Sequence, residues 1–288
     1  MDKRLKIALF PNVYKDKNLN NTKVIIDKLI DLGILVLIHK DYKLMPNSDY
    51  ICVYDNIDEL ILNCDLAITI GGDGTIIHFA KYASMFEKPV LGVNIGRLGF
   101  VAGIEMSQLN KLSYILDGNY KVQERAMLEV SVKQKDGEKT FIALNDAVIS
   151  RGAPSRVIDL AIYTSSNKIC DYRADGIIIA TPTGSTAYSL SAGGPIIEPT
   201  VSCMIITPIC SHSIFARPII FDNKSTLDIR ATSREDLGIF LTIDGDEIID
   251  VTQADFINIK ISDRKAKIIN LDERSFYRKI SEKFSNRS

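Results

Sequence analysis

Over the first third of the chain, short apolar runs alternate with segments whose apolar residues recur at helical spacing. Residues 5–10 predict a strand and 21–32 an amphipathic helix ending at Gly33. Residues 34–38, 66–70 and 89–93 predict further strands, and 75–85 a second helix. Strands separated by helices predict a parallel sheet of doubly wound type, in which ligands sit at the carboxyl ends of the strands. Gly71-Gly72-Asp73-Gly74 follows the 66–70 run directly and so falls at such an end.

After Leu116-Asp117-Gly118-Asn119 the apolar period shortens to two. Residues 128–132 alternate, 135–138 supply a hairpin turn, and strands are predicted at 157–163, 177–180, 203–206, 226–230, 239–243 and 257–261. Residues 273–284 predict a short helix. The expected fold is therefore α/β plus all-β. A Rossmann-like parallel-sheet domain spans 1–122 and is completed by 266–288; a β-rich, sandwich-like domain spans 123–265. Two domains suit 288 residues, and the cleft between them is the expected site.

Composition narrows the classes of function. Apolar residues make up 46% and charged residues 25%, as in a soluble globular protein. Lys plus Arg total 35 against 36 Asp plus Glu, so the basic surplus that nucleic acid or an acidic membrane would need is missing. A local basic pocket for phosphate stays open. Cys52, Cys64, Cys170, Cys203 and Cys210 are scattered without a C-x-x-C pair, which predicts reduced thiols and neither a disulfide framework nor a zinc site. The N-terminal apolar run stops at Pro11-Asn12, too short for a signal peptide, and no run of about 20 apolar residues exists for a membrane helix. A cytoplasmic protein is expected.

Three segments carry candidate chemistry. Gly71-Gly72-Asp73-Gly74-Thr75 permits a tight turn and close approach of a ligand to the main chain. The helix behind it would offer free N–H groups to phosphate. Asp73 could act as a general base toward a sugar hydroxyl, or simply cap the helix. No Gly-Lys-Ser/Thr follows and no G-x-G-x-x-G is present, so neither a Walker A loop nor hydride chemistry is indicated. Arg173-Ala174-Asp175-Gly176 and the small, hydroxylated stretch Thr181-Pro182-Thr183-Gly184-Ser185-Thr186-Ala187-Tyr188-Ser189-Leu190-Ser191-Ala192-Gly193-Gly194-Pro195 can line a polar ligand, with Tyr188 offering a stacking face. Asn145-Asp146 sets an amide beside a carboxylate, suited to an adenine edge and to ribose hydroxyls, or to a plain solvated strand end.

In this order the three segments resemble the NAD kinase family. The glycine turn is shared with phosphofructokinases, diacylglycerol kinases and sphingosine kinases; Asn145-Asp146 and 181–195 resemble NAD kinases in particular. Asn94-Ile95-Gly96-Arg97-Leu98-Gly99-Phe100 and 207–218 also resemble family segments, and the likeness runs from about 66 to 245. The resemblance implies transfer of the terminal phosphoryl of ATP, or of polyphosphate, to the 2'-hydroxyl of the adenosine ribose of NAD, giving NADP. It implies Asp73 as the base, with Gly74, His78 and Phe100 near the dinucleotide. Asn145 would read adenine and Asp146 hold a ribose, with Arg156 and Arg173 as phosphate contacts. Asp175, Thr186, Ala187, Tyr188, Ser189, Leu190 and Ser191 would complete the NAD pocket in the β-rich domain. It further implies Mg2+ or another divalent cation brought with ATP, no metal site of the protein's own, and a homodimer or homotetramer in which Ala187 and Tyr188 reach across a subunit boundary. An arginine at Arg173 goes with ATP rather than polyphosphate.

There is one departure from the family. Asp244-Gly245-Asp246 stands where many members carry Asp-Gly-Gln, and the carboxylate of Asp246 cannot donate as an amide does. Asp244-Gly245 by itself reads as a hairpin turn. His212 and Arg217 could border the site. A lipid or sugar kinase with the same turn, and a non-catalytic dinucleotide sensor, are the rival readings.

Overall fold

A computed structural model describes residues 4–43, 48–97, 99–152, 157–165, 167–213, 216–233, 238–271, 274 and 276–285. The chain divides into two units, Met1–Glu124 with Ala266–Ser288, and Arg125–Lys265.

The first unit runs β1 (Lys6–Pro11), α1 (Asn20–Asp31), β2 (Leu35–His39), β3 (Ile51–Tyr54), α2 (Ile57–Asn63), β4 (Leu66–Gly71), α3 (Asp73–Ser84), β5 (Val90–Asn94) and β6 (Ile104–Glu105). Parallel pairing orders the main strands β3-β2-β1-β4-β5. Ile268 and Ile269 continue the sheet beside Val90 and Leu91. Alternate residues of β1 serve opposite faces. Ile7 and Leu9 pack with Ile25, Ile26 and Leu29 of α1, while Ala8 and Phe10 pack with Leu60 and Ile61 of α2 and Phe79 of α3. Burial on both faces explains why these strands read as unbroken apolar runs. Strand order reverses between β1 and β4, whose carboxyl ends, Pro11 and Gly71, therefore flank the switch point where ligands bind in such sheets. Strand β3 and helix α2 were not anticipated from the apolar pattern.

The second unit holds a hairpin of β7 (Lys121–Gln134) and β8 (Gly137–Ala143), followed by β9 (Asp146–Arg151), β10 (Ile158–Thr164), β11 (Asn167–Ala174), β12 (Gly176–Ala180), β13 (Cys203–Ile209), β14 (Ile219–Asp222), β15 (Thr226–Thr232), β16 (Ile239–Ile243), β17 (Glu247–Val251) and β18 (Phe256–Asn270). One antiparallel sheet runs β14-β13-β12-β9-β16-β17, and strands β11-β10-β15-β18 form another. Their inner faces meet in one core, where Ile149, Ile177, Ile179 and Leu241 from the first sheet join Leu160, Ile162, Ile229 and Ile259 from the second. This is a sandwich, as expected. The outer face of the first sheet is covered too: Val148, Ile178 and Ile205 pack under Ala192 and Ile197. That cover belongs to the small-residue stretch after β12, and it buries β12 from end to end. Strands β11, β14 and β17 go beyond the sequence pattern, β9 starts at the strand end read at Asn145-Asp146, and β7 and β18 are longer than the pattern indicates.

The C-terminal helix spans Phe276–Ser285. Among the described residues no helix is long and apolar enough to cross a membrane, and none of the five thiols forms a disulfide.

Candidate functional site

Strand β4 leads into α3 through Gly71 and Gly72, and a Cβ on Gly71 would lie 2.6 Å from the Thr75 Cβ and Oγ1. Close approach, not unusual backbone dihedrals, is what demands glycine there. Asn12, just past β1, ties the two strand ends together. Its Nδ2 donates to Thr75 Oγ1 (2.9 Å), and its Oδ1 accepts from the Tyr14 and Lys15 N–H groups (both 3.1 Å). Lys15 Nζ stands 3.4 Å from where a Cβ on Gly72 would be, so an ammonium lies over the turn.

Asp73 does not cap the helix. Gly72 holds the cap position without any side-chain bond, and Asp73 is the first helical residue. Its carboxylate instead accepts from the backbone N–H groups of Phe100 (2.8 Å) and Val101 (3.3 Å). Gly74 is exposed, with open space where its Cβ would be. His78 is exposed in the second turn of α3.

In the second unit a cavity of about 380 Å³ opens between the end of β9, the turn after β16 and the small-residue stretch. Asn145, Asp146, Ala187 and Tyr188, all singled out in the sequence, line it together with Val148, Ser150, Thr242, Asp244 and Gly245. The Asn145 Oδ1 is buried and has no hydrogen-bond partner among the described residues, as is true of Thr183 Oγ1. An amide oxygen left without a donor inside a cavity costs about 1–3 kcal/mol unless a ligand or water supplies one. The Asp146 carboxyl is buried, and its pKa is pushed up to about 7, by burial first and by the negative charge of Asp244 second.

Asp244 shapes this wall. It takes a left-handed backbone (φ +50°) beside Gly245 (φ +77°) in the turn between β16 and β17. Its carboxylate accepts from three successive N–H groups, those of Leu144 (2.9 Å), Asn145 (2.7 Å) and Asp146 (3.1 Å). Thr181 grips the same segment from the other side. Its N–H donates to the Asn145 carbonyl (2.8 Å) and its hydroxyl to the Leu144 carbonyl (2.6 Å). In the sequence Asp244-Gly245 by itself reads as a hairpin turn and Thr181 as one hydroxyl among many, so neither signals this grip on residues 144–146.

Other expected residues stand elsewhere. Ser189 is fully buried, its hydroxyl bonded to Thr207 Oγ1 at 2.9 Å. It serves the packing of the fold and does not line the cavity. Thr186 is half-buried with its hydroxyl on the Thr183 carbonyl (3.3 Å). Leu190 and Ser191 lie on the short helix Tyr188–Ser191 without lining the cavity. Asp175 is likewise off the cavity wall, held by a two-pronged ion pair with Arg151 (2.8 and 3.1 Å). Arg173 is exposed, 3.8 Å from Asp159, and Asp246 is exposed one residue past Gly245. Arg156 lies outside the described residues.

A carboxylate fixed beside a glycine turn at a sheet's switch point, in a chain that also carries a cavity suited to a base and a sugar, defines a nucleotide-directed phosphoryl-transfer enzyme. Comparison with known proteins narrows the class. The ATP-NAD kinase N-terminal domain matches residues 15–120, and the ATP-NAD kinase C-terminal domain matches 144–271. An NAD kinase of Caldanaerobacter subterraneus subsp. tengcongensis is 38% identical over 284 residues, covering 98% of this chain and 99% of the relative. One from Symbiobacterium thermophilum is 42% identical over 225 residues, 77% of this chain and 78% of its own. Yeast NADH kinase, solved in complex with NADH, superposes with a TM-score of 0.84 at 28% identity, over 99% of this chain and 89% of that one. The chain belongs to the NAD kinase family, the enzymes that phosphorylate NAD to NADP.

Proposed function

We propose that the chain transfers the terminal phosphoryl group of ATP to the 2'-hydroxyl of the adenosine ribose of NAD. The observation that carries this reading is the buried Asn145 Oδ1, without a hydrogen-bond partner among the described residues, beside the Asp146 carboxyl in one cavity. An adenine amino group would satisfy the first, and ribose hydroxyls the second. Ala187 and Tyr188 supply the remaining wall, and exposed Arg173 is a phosphate contact. The solved relative from yeast holds NADH, which is the same adenosine moiety on the other redox form.

Asp73 is the base in this reading. Its carboxylate takes the proton of the 2'-hydroxyl as the new O–P bond forms, the bond between the terminal phosphorus and its bridging oxygen breaks, and ADP leaves with the electron pair. Each carboxylate oxygen carries one backbone N–H bond and keeps further lone-pair capacity for that proton. The open surface at Gly74 lets a ligand approach the main chain. The donor brings a divalent cation whose ligands are mainly phosphate oxygens and water, so it asks few carboxylates of the protein; Asp73 is the acidic group at the glycine turn. Bound there, such a cation would neutralise charge on the transferring phosphoryl group. The enzyme works in the cytoplasm as a homodimer or homotetramer.

The test is NADP formation from NAD with Mg-ATP, comparing the wild type with Asp73→Asn, alongside NAD binding by both. Turnover in the wild type that collapses in the variant, with NAD binding kept, is expected. An enzyme that binds NAD yet makes no NADP from ATP or polyphosphate overturns the reading.

A further inference from the structure

Of the segment Asn94-Ile95-Gly96-Arg97-Leu98-Gly99-Phe100, Phe100 alone has entered the chemistry described so far, through its N–H on Asp73. Its first residue, Asn94, is buried at the end of β5 and turns the chain back on itself. The Asn94 Oδ1 accepts from the Gly96 N–H (3.1 Å), and its Nδ2 donates to the Arg97 carbonyl (3.0 Å). The Ile95 N–H donates to the Gly71 carbonyl (3.1 Å), which fastens the segment to the glycine turn itself. Four residues later the chain meets Asp73. An ideal Cβ on Gly99 would fall 2.0 Å from Asp73 Oδ1 and 2.6 Å from Oδ2. Gly99 has no positive φ, so what requires glycine is the carboxylate pressed against it. The next two N–H groups, of Phe100 and Val101, then hold one carboxylate oxygen each.

Residues 100–105 are in turn fastened by the end of the chain. Lys279, 6% exposed, donates its ammonium to the Ala102 carbonyl (3.1 Å). Lys283 sits 4.0 Å over the Phe100 ring, and Phe276 packs on that ring at 6.3 Å. Arg274 bridges Glu105 and Glu282, at 3.1 Å to each. Gly103 fits closely as well, since a Cβ there would lie 2.4 Å from the Ile269 carbonyl oxygen.

We propose that residues 99–102 form a clamp that positions the carboxylate of Asp73, with Gly99 making room for it, and that the C-terminal helix keeps the clamp closed through Lys279. Gly99 and Lys279 are thus positioning residues for the transfer step, acting through Asp73 and the Ala102 carbonyl. The proposal rests on the reading of Asp73 as the base. A base displaced by about 1 Å loses on the order of 10²-fold in rate, and a methyl group at 99 cannot coexist with the carboxylate where it stands.

The experiment measures kcat and KM for NAD and ATP in the full chain for Gly99→Ala, Lys279→Met, Lys279→Arg and Asp73→Asn, with thermal melts of each. Gly99→Ala is expected to lower kcat by about 10²-fold while KM for NAD stays within about twofold. In an Asp73→Asn background the same change is expected to have no further effect on residual turnover, because no carboxylate remains to be displaced. A loss that persists in that background marks a general structural defect and overturns the proposal. Should Gly99→Ala fail to fold, Lys279→Met decides. A lower kcat restored by Lys279→Arg, which keeps a donor for the Ala102 carbonyl, supports the clamp, and an unchanged kcat overturns it. Full turnover by Gly99→Ala alongside a dead Asp73→Asn removes the clamp and leaves the base standing. Full turnover by Asp73→Asn removes the base itself.

Discussion

Replacing Asp244 by alanine strips the acceptor from three consecutive backbone N–H groups. A hydrogen bond to a charged acceptor contributes about 1.5–3 kcal/mol, and a buried donor left unsatisfied costs about 1–3 kcal/mol. Losses inside one network do not add in full, and the half-exposed turn lets water reach part of it. A total of about 3–4 kcal/mol is therefore expected from Asp244→Ala. Asparagine does less harm. Its amide oxygen can keep the Asn145 and Asp146 N–H groups, which share Oδ1, while its NH2 faces the Leu144 N–H as a second donor; about 1.5–2 kcal/mol is expected. Both figures lie inside a typical folding stability of about 5–15 kcal/mol, so the variants fold and can be assayed. The segment that relaxes carries Asn145 and Asp146, and about 1.4 kcal/mol of it felt at the ligand corresponds to about tenfold in affinity. KM for NAD should rise by at least that factor in Asp244→Ala, with KM for ATP and kcat changed far less. Urea unfolding and initial rates measure the two effects. A variant with wild-type urea midpoint and wild-type KM for NAD would show that the three hydrogen bonds hold nothing of consequence.

Asp146 gives a pH dependence. Its folded pKa is raised to about 7 from the ordinary 3.8, so between roughly pH 4 and 7 the native state holds a proton that the unfolded chain has released. Stability therefore falls as pH rises through that window and levels off above it; Asp146→Asn should lack this component, and equal slopes in urea midpoint against pH for the two proteins would refute it. Ribose hydroxyls donating to the same group favour its ionised form. NAD binding near pH 7 is then expected to release protons, read by calorimetry in buffers of different ionisation enthalpy, and zero release would count against Asp146 as the ribose contact. Gly184→Ala would place a Cβ 2.1 Å from the Asn145 carbonyl oxygen. A loss of about 1–3 kcal/mol in stability is expected, with weaker NAD binding, and a variant indistinguishable from wild type in both would show that this contact yields freely.

How far the sequence reaches depends on whether a feature is local. Strands β1, β4 and β5 and helix α1 announce themselves, because burial against neighbouring layers imposes an apolar pattern on a few adjacent residues. The glycine turn is equally local. Helix α2 carried a readable signal, since Asn56 Oδ1 caps the Asp58 and Glu59 N–H groups, but its strand partner β3 lies at a sheet edge with Val53 exposed, which blurs the pattern before it. Side-chain direction inside the small-residue stretch is a different matter. Ser189 turns into the packing while Tyr188 and Ala187 face the cavity, and no property of the residue types foretells which does which. The contacts hardest to foresee join distant positions. Asp244 acts on residues 98 to 100 positions earlier in the chain, and Asp73 rests on a backbone segment 27 and 28 positions later. Each looks in isolation like a turn or a cap, and each finds its partner only when two strand ends converge. In this chain the residues proposed for the chemistry could be named from motif alone, whereas those that hold them in place had to wait for the fold.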